Sequence, residues 1–440
     1  MAHPIACVLS LLAVLVTQHA FAQPESDTAF RVSTVAHNGM PKNIVPRGSI
    51  WNFGSGSLRT YRGWQYAAYW DNARQVSVAR RQLPSGKWSV ASLPGYQRTE
   101  NVDRGKAGAI SRGFGDGHEK VSMGISADGV IHLAFDHHLS TLHYRCSVKR
   151  IANEPSKHDW TPELFGPVRD NLGGPKIERV TYPSFTADGN RLLLYLRLNG
   201  GSGDADSHFM EYENGRWLRN DLPSSKLIDK QWSGGDGTVN AYPHSMVVRN
   251  GRRHLTWSWR DTPTASTSHD LCYSYSDDHG ETWRNNDGKP IGRIGKKFIT
   301  ADSDGVVAIN IPAGTSFVNG GSMTVDQNGR VHVVMRGESG EPFHATRDPE
   351  TGKWDHGNTR YLGALAAGNG EHVFLVSEGG LHRLSASRVG EATTIASAPA
   401  QLFRDGKTAV DRERFQHDGW ISAIGQRGKR ISVVDFRVPQ

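Results

Sequence analysis

Asp128-Gly129-Val130-Ile131-His132-Leu133-Ala134-Phe135-Asp136 reads as a tight turn followed by a strand. Asp-Gly and Asn-Gly between apolar runs are the strongest short-range hairpin signals. Beyond the turn, Ile131, Leu133 and Phe135 alternate with His132 and Ala134, so neighbours point to opposite faces of a sheet. The pattern recurs along the chain. Gly63 precedes Trp64–Trp70, Gly189 precedes Arg191–Arg197, Gly251 precedes Arg252–Trp259, and Gly329 precedes Val331–Arg336. Weaker copies begin at Asn369-Gly370 and Arg427-Gly428. No window sustains a 3.6-residue apolar period. A lone hairpin cannot bury both of its faces, whereas sheets stacked radially can. The seven turns therefore predict an all-β chain folded as a seven-bladed β-propeller, with Phe30–Val35 completing the last blade and closing the ring. Two β-sandwiches would need a linker, and no Pro/Ser/Gly-rich break is present.

Ser276-Asp277-Asp278-His279-Gly280-Glu281-Thr282-Trp283 fits S-x-D-x-G-x-T-W, the Asp-box of sialidase-like propellers. It marks the fold, not a catalytic site: the Asp holds its own hairpin turn and the Trp packs between strands. Trp88, Trp160, Trp217 and Trp354 look like degenerate endings of the same kind.

The chain has 440 residues, 37% hydrophobic and 22% charged, which excludes a membrane bundle and a disordered acidic tail. Its 49 Gly and 12 Trp suit many turns with aromatic packing. The formal charge of +7 favours an acidic partner, but no basic run occurs, so nucleic acid is not expected. The apolar run Ile5–Val16 is too short to span a bilayer, and it leads into Ala20-Phe21-Ala22. Residues 1–22 are read as a secretory signal peptide, although the only side chain of basic character ahead of the run is His3. A single propeller domain over 23–440, secreted or periplasmic, monomeric and without a transmembrane segment, is the expectation. Cys7 leaves with the signal, and the remaining Cys146 and Cys272 make no disulfide framework.

Residues 116–145 carry the densest chemistry: Asp116-Gly117-His118-Glu119, then Asp136-His137-His138 just past a strand end, then Leu142-His143-Tyr144-Arg145. Strand ends are where propeller loops build sites. Thr181-Tyr182-Pro183-Ser184-Phe185 and Ala241-Tyr242-Pro243-His244-Ser245 repeat Tyr-Pro at the same place in successive blades. Their plain reading is a packed tyrosine and a proline at a strand start, where its missing donor does no harm. Arg197 closes the apolar run Leu192–Leu196 and needs a partner; a substrate carboxylate in a solvated pocket would serve.

Together, His118, the DHH at 136–138, the LHYR at 142–145, TYPSF with Arg197, YPHS at 242–245 and HDLCYSYS at 269–276 resemble the BNR-repeat propellers of the ulvan-lyase type. That group includes seven-bladed polysaccharide lyases. Related propellers cleave rhamnose–glucuronate linkages, and one relative is an α-L-rhamnosidase. The resemblance covers about residues 100–340 and is poorly specific for substrate. It implies an acidic polysaccharide as partner and a site of His118, His138, Tyr182 and Arg197, with His137, Tyr242 and His244 binding substrate. The register of the doublet leaves His137 as an alternative to His138. The resemblance also implies a structural metal, zinc or calcium, with Cys272, His254 and His279 as ligands. No cofactor is required for the chemistry.

That chemistry is β-elimination at a uronate. A base removes the C5 proton beside the carboxylate, a cation stabilises the enediolate, and an acid protonates the leaving oxygen on C4. Histidine titrates near neutrality and can fill either proton-transfer role. Two other functions fit the fold. A glycoside hydrolase of sialidase type would need three clustered arginines and a Tyr–Glu pair; a rhamnosidase would use a different face and need not retain these histidines. A binding propeller would leave His118, Tyr182 and Arg197 in separate places.

Overall fold

A computed structural model describes Met1 and residues 29–40, 56–98, 101–102, 111–113, 119–232, 237–315, 320–368, 370, 372–377, 380–385, 388–397 and 408–438. Seven antiparallel sheets surround a central channel, as the turns predict. Their innermost strands, blade 1 to blade 7 in chain order, are Leu58–Tyr61, Val121–Ile125, Val180–Asp188, Asn240–Arg249, Gly321–Val325, Ala364–Ala367 and Thr408–Asp411. A two-stranded ribbon, Asn101–Val102 with Ser111–Gly113, lies in sequence between blades 1 and 2. The proposed signal peptide falls outside the described residues.

Gly63, Gly129, Gly189, Gly251, Gly329 and Gly370 each fall in the turn between the first and second strands of a blade. Five of these six have positive φ, where a side chain would be strained. Gly428 departs from the expectation. It joins the second and third strands of blade 7, Trp420–Arg427 and Arg430–Arg437. The first connection there is a short helix, Arg412–Asp418, because the Asp411 carboxylate accepts the Arg414 N–H and caps it.

The expected closure is present. Phe30–Ala36 pairs antiparallel with Arg430–Arg437 and forms the outer strand of blade 7. Polar groups tie blade 7 to blade 1. Asp435 takes Arg81 at 2.7 Å and Arg414 at 2.5 Å, while Asp411 accepts from Thr60 Oγ1 at 2.6 Å and Gln65 Nε2 at 2.8 Å.

Between blades the core is aromatic and aliphatic. Trp70, Val76, Leu133 and Phe135 fill the gap between blades 1 and 2, with Trp70 edge-on to Phe135 at 5.8 Å. Each such side chain contributes about 1.5–3 kcal/mol by leaving water.

The Asp-box behaves as its residues require. Asp278 Oδ1 accepts from Thr282 N–H and from Ser276 Oγ, each at 2.8 Å, and Ser276 Oγ accepts from Gly280 N–H at 2.9 Å. Trp283 is buried and donates to the Gly280 carbonyl at 3.0 Å. Asp278→Ala should lower the unfolding free energy by about 1–2 kcal/mol, the usual cost of losing a turn-capping carboxylate. Urea denaturation of the variant checks this, and an unchanged midpoint would assign the turn to its backbone alone. Asp348 holds the corresponding turn of blade 5, accepting from Glu350 and Thr351 N–H ahead of Trp354. Trp160 differs: it is not on an outer strand, and it reaches across to donate to the Val78 carbonyl of blade 1.

Candidate active site

His138, Tyr182, Arg197 and Tyr242 lie at the end of the channel where the inner strands begin. In blade 2 the second strand ends at Phe135, and Asp136 turns the chain with φ at +61°. Tyr96 donates to the Asp136 carboxylate, and Arg98, which pairs with Glu119 at 2.5 Å, lies 3.8 Å from it. This buried cluster fixes the turn, and the two histidines then part company.

His137 is fully buried, and its Nε2 accepts the His143 N–H at 2.9 Å. Its Nδ1 therefore carries the proton and has no hydrogen-bond partner among the described residues. Burial, and then the neighbouring His143, hold its pKa well below 6.5, so it is neutral. His138 is half-buried. It begins the strand His138–Ser140, which adds to the channel side of blade 3's inner strand with His138 opposite Thr181. The Leu139 N–H donates to Thr181 Oγ1 at 3.0 Å.

Thr181 in turn stands opposite Arg197. His138, Thr181 and Arg197 form one cross-strand row, with His138 and Arg197 two strand spacings, about 10 Å, apart along the backbone. Arg197 is buried and donates from Nη1 to Tyr242 Oη at 3.2 Å; its Nε has no partner. Its guanidinium carbon lies 4.6 Å from the Tyr182 ring centre and 5.6 Å from that of Tyr242, and the two rings meet edge to face at 6.2 Å. Tyr242 donates onward to Ser202 Oγ at 2.8 Å. Among the described residues no carboxylate pairs with Arg197. The expectation that it faces a solvated pocket is not met, because two tyrosine rings cover it.

Tyr182 has φ at +56°, a strained value for an aromatic residue, and lies where the register slips between Thr181 and Ser184. The slip turns its ring towards blade 4, Tyr242 and Arg197. A second slip, between Pro243 and Ser245, acts on His244. Its Nε2 meets Ser258 Oγ at 3.0 Å, and its ring packs on blade 5, where a Cβ on Gly321 would come within 3.0 Å of it. His244 therefore stands apart from the Arg197 cluster. His118 lies outside the described residues.

The proposed metal ligands are not brought together. His254 stands opposite Tyr275 and its Nδ1 meets Tyr273 Oη at 2.9 Å. Cys272 stands opposite Trp257, three positions along the ladder, so its side chain points to the other face. Burial raises its thiol pKa well above the usual value, the reverse of what a thiolate ligand needs. His279 is exposed in the Asp-box turn. Among the described residues no group of three or more His, Cys, Asp or Glu side chains is placed to hold a metal.

Lys120 was not singled out by the sequence. It is buried just ahead of blade 2's inner strand, and desolvation lowers its pKa to about 7. Ser122, two residues on and on the same face, donates to the Pro183 carbonyl at 2.6 Å, so that face looks towards the Tyr182 turn. No motif announces a lysine between Glu119 and an apolar strand; only burial does.

Solved structures of similar shape exist at low identity. An ulvan lyase from a new polysaccharide lyase family aligns at TM-score 0.61 and 13% identity, over 92% of this chain and 95% of that one. The same lyase bound to a glucuronate-(1-4)-rhamnose-3-sulfate unit aligns at TM-score 0.60 and 13% identity, with the same coverage. At this identity the likeness is one of fold. No curated protein sequence matches the chain. Among the described residues no helix is long and apolar enough to cross a membrane. Residues 64–360, about two thirds of the chain, match the profile of the BNR repeat-containing family member, and the protein belongs to that family.

Proposed function

We propose that the protein is a polysaccharide lyase that cleaves a uronate-containing polysaccharide by β-elimination at the His138–Tyr182–Arg197 end of the channel. One observation carries the reading: a buried guanidinium with no carboxylate among the described residues, held between Tyr182 and Tyr242 in the same cross-strand row as His138. A buried unpaired charge costs several kcal/mol, so its retention argues for use.

In this reading Tyr182 and His138 divide the two proton transfers. The base takes the C5 proton, and that bond's electron pair becomes the C4–C5 double bond. The C4–O bond breaks, and the leaving oxygen takes a proton from the acid. Arg197 acts from behind the tyrosines as a fixed positive potential. It favours the substrate carboxylate at the channel mouth and the negative charge that grows on the enediolate and on a phenol oxygen. His137, buried and neutral, positions the loop that carries His138. The ulvan lyase likeness supports the substrate class, and the net charge of +7 favours a polyanion.

The deciding experiment is incubation with uronate polysaccharides, followed by ultraviolet absorbance of the unsaturated uronyl product. Reducing ends released without that absorbance would replace elimination by hydrolysis. The reading includes export after cleavage near Gln23. Mass spectrometry of the secreted protein should find that start, and an intact segment 5–16 would refute it.

A further inference from the structure

The opposite end of the channel holds a second cluster of cations. A cavity of about 150 Å³ lies there, lined by Arg59, Arg249, Arg412 and Glu413 and by the hydroxyls of Ser184, Ser245 and Thr324. The arginines come from three blades. Arg59 is on the inner strand of blade 1, Arg249 ends that of blade 4, and Arg412 follows that of blade 7. Tyr242 and Arg249 stand at the two ends of one strand, about 23 Å apart at the usual rise per residue.

The three guanidinium groups are not equally satisfied. Arg59 pairs with Glu413 at 2.5 Å and donates to the Met123 and Phe185 carbonyls. Among the described residues Arg412 donates only to hydroxyls, Ser245 Oγ at 3.2 Å and Ser322 Oγ at 3.3 Å. Arg249 donates to the Gly368 carbonyl at 2.6 Å, and its buried Nε has no partner. Among the described residues one carboxylate thus faces three cations, and Arg249 and Arg412 make no ion pair. Burial, and then the Arg59 charge, lower the Arg412 pKa to about 10, a cost that a bound anion would offset. A second cavity, of about 280 Å³, shares Arg59, Phe185, Ala187 and Glu413 with the first and adds Arg62 and Arg191. It leaves room beside the cations for a sugar ring.

We propose that this end of the channel is an oxyanion-binding site, separate from the lyase site, in which Arg249 and Arg412 hold a sulfate or carboxylate group with the Ser245 hydroxyl beside it. The anion is either a free inorganic ion or the charged substituent of a saccharide whose ring occupies the second cavity. Guanidinium forks suit both groups, since each presents paired oxygens. The inference does not rest on the lyase reading.

Isothermal titration of the full chain with sodium sulfate and, separately, with sodium glucuronate tests it, at constant ionic strength set by chloride. One saturable site per chain is expected for at least one of the two. Sulfate alone would identify a free-ion site, and glucuronate a saccharide site. Arg249→Gln and Arg412→Gln should each weaken binding at least 10-fold, while Arg197→Met, at the other end of the channel, leaves it unchanged. Glu413→Gln removes the competing carboxylate and should tighten binding several-fold, which gives a gain-of-function readout if an arginine variant does not fold. No saturable binding of either anion overturns the proposal. So does binding that survives both arginine substitutions, or binding that is lost with Arg197→Met.

Discussion

Arg197→Met should lower turnover on a uronate polymer by a factor on the order of 10²–10³, while the protein melts at or above the wild-type temperature. The activity loss follows from removing the positive potential behind Tyr182, comparable to deleting a main electrostatic donor to a developing anion. The stability expectation follows from the missing counter-charge. Arg197 has no carboxylate among the described residues, its Nε is unpartnered, and its one hydrogen bond goes to Tyr242. Replacing such a group by an apolar side chain of similar length removes a desolvation penalty. Tyr242 keeps its bond to Ser202. Arg197→Lys keeps the charge but loses the planar group that stacks on both rings, so its turnover should fall between the two. Steady-state kinetics with a circular-dichroism melt reads both quantities. Near wild-type turnover of Arg197→Met would falsify the role given to this arginine, and loss of the fold would make it structural.

Acid should unfold the protein through its histidines. Burial leads the causes that hold His132, His244, His254 and His344 at about 3, with Arg169 adding for His132, Arg252 and Arg347 for His254, and the neighbouring His332 for His344. The unfolded chain titrates them near 6.5. Between those values the unfolded state binds more protons. Their contribution is therefore complete above about pH 6.5 and is lost as pH falls towards about 3. Each group adds a slope of up to about 1.4 kcal/mol per pH unit in that window. Four together consume a typical domain stability of about 5–15 kcal/mol within a few units. Asp411 works the other way: burial, and then Glu413, raise it to about 6, so it adds stability as pH falls through that value. Urea midpoints measured from pH 7.5 to 4 should fall steeply below about 6.5. His254→Gln should flatten the slope by about one histidine's share. Midpoints that stay level down to pH 4 would mean that these rings are protonated in the folded protein.

The fold was legible because its signal is local. A turn glycine, preceded by Asn or Asp at five of the seven positions, ahead of an apolar run states a turn and a strand within ten residues, and six of the seven turns fall in equivalent places. Gly428 misleads only in which hairpin it closes, because Asp411 caps a helix where the other blades turn at once. The site was legible in part, through the repeated Tyr-Pro and the arginine that closes an apolar strand. Tyr182 and Tyr242 reach Arg197. His244 does not, because it lies in the register slip after Pro243 and packs on Ser258 and on Gly321 of blade 5. A slip of that kind has no mark in the sequence. The metal set failed for a related reason: whether His254 and Cys272 share a face depends on the offset between two strands, which only the ladder shows. Lys120, Arg98 and Glu119 were hidden because their significance is burial, and charged residues beside a loop read as solvated.

The outer strand of blade 7, Phe30–Ala36, is the first strand among the described residues, and its neighbour Arg430–Arg437 is the last. A ribosome delivers these two strands about 400 residues apart. Six blades can assemble vectorially as they emerge, each on the one before. The first strand has no partner until residue 437 has been made. Throughout elongation it is an unpaired edge, the kind of surface that recruits a neighbouring chain or a chaperone. Its composition suits that wait: Arg31, Ser33 and Thr34 interrupt the apolar residues of FRVSTVA. The nascent protein is thus an open arc, and its cooperativity as a ring begins only when Arg430–Arg437 has emerged.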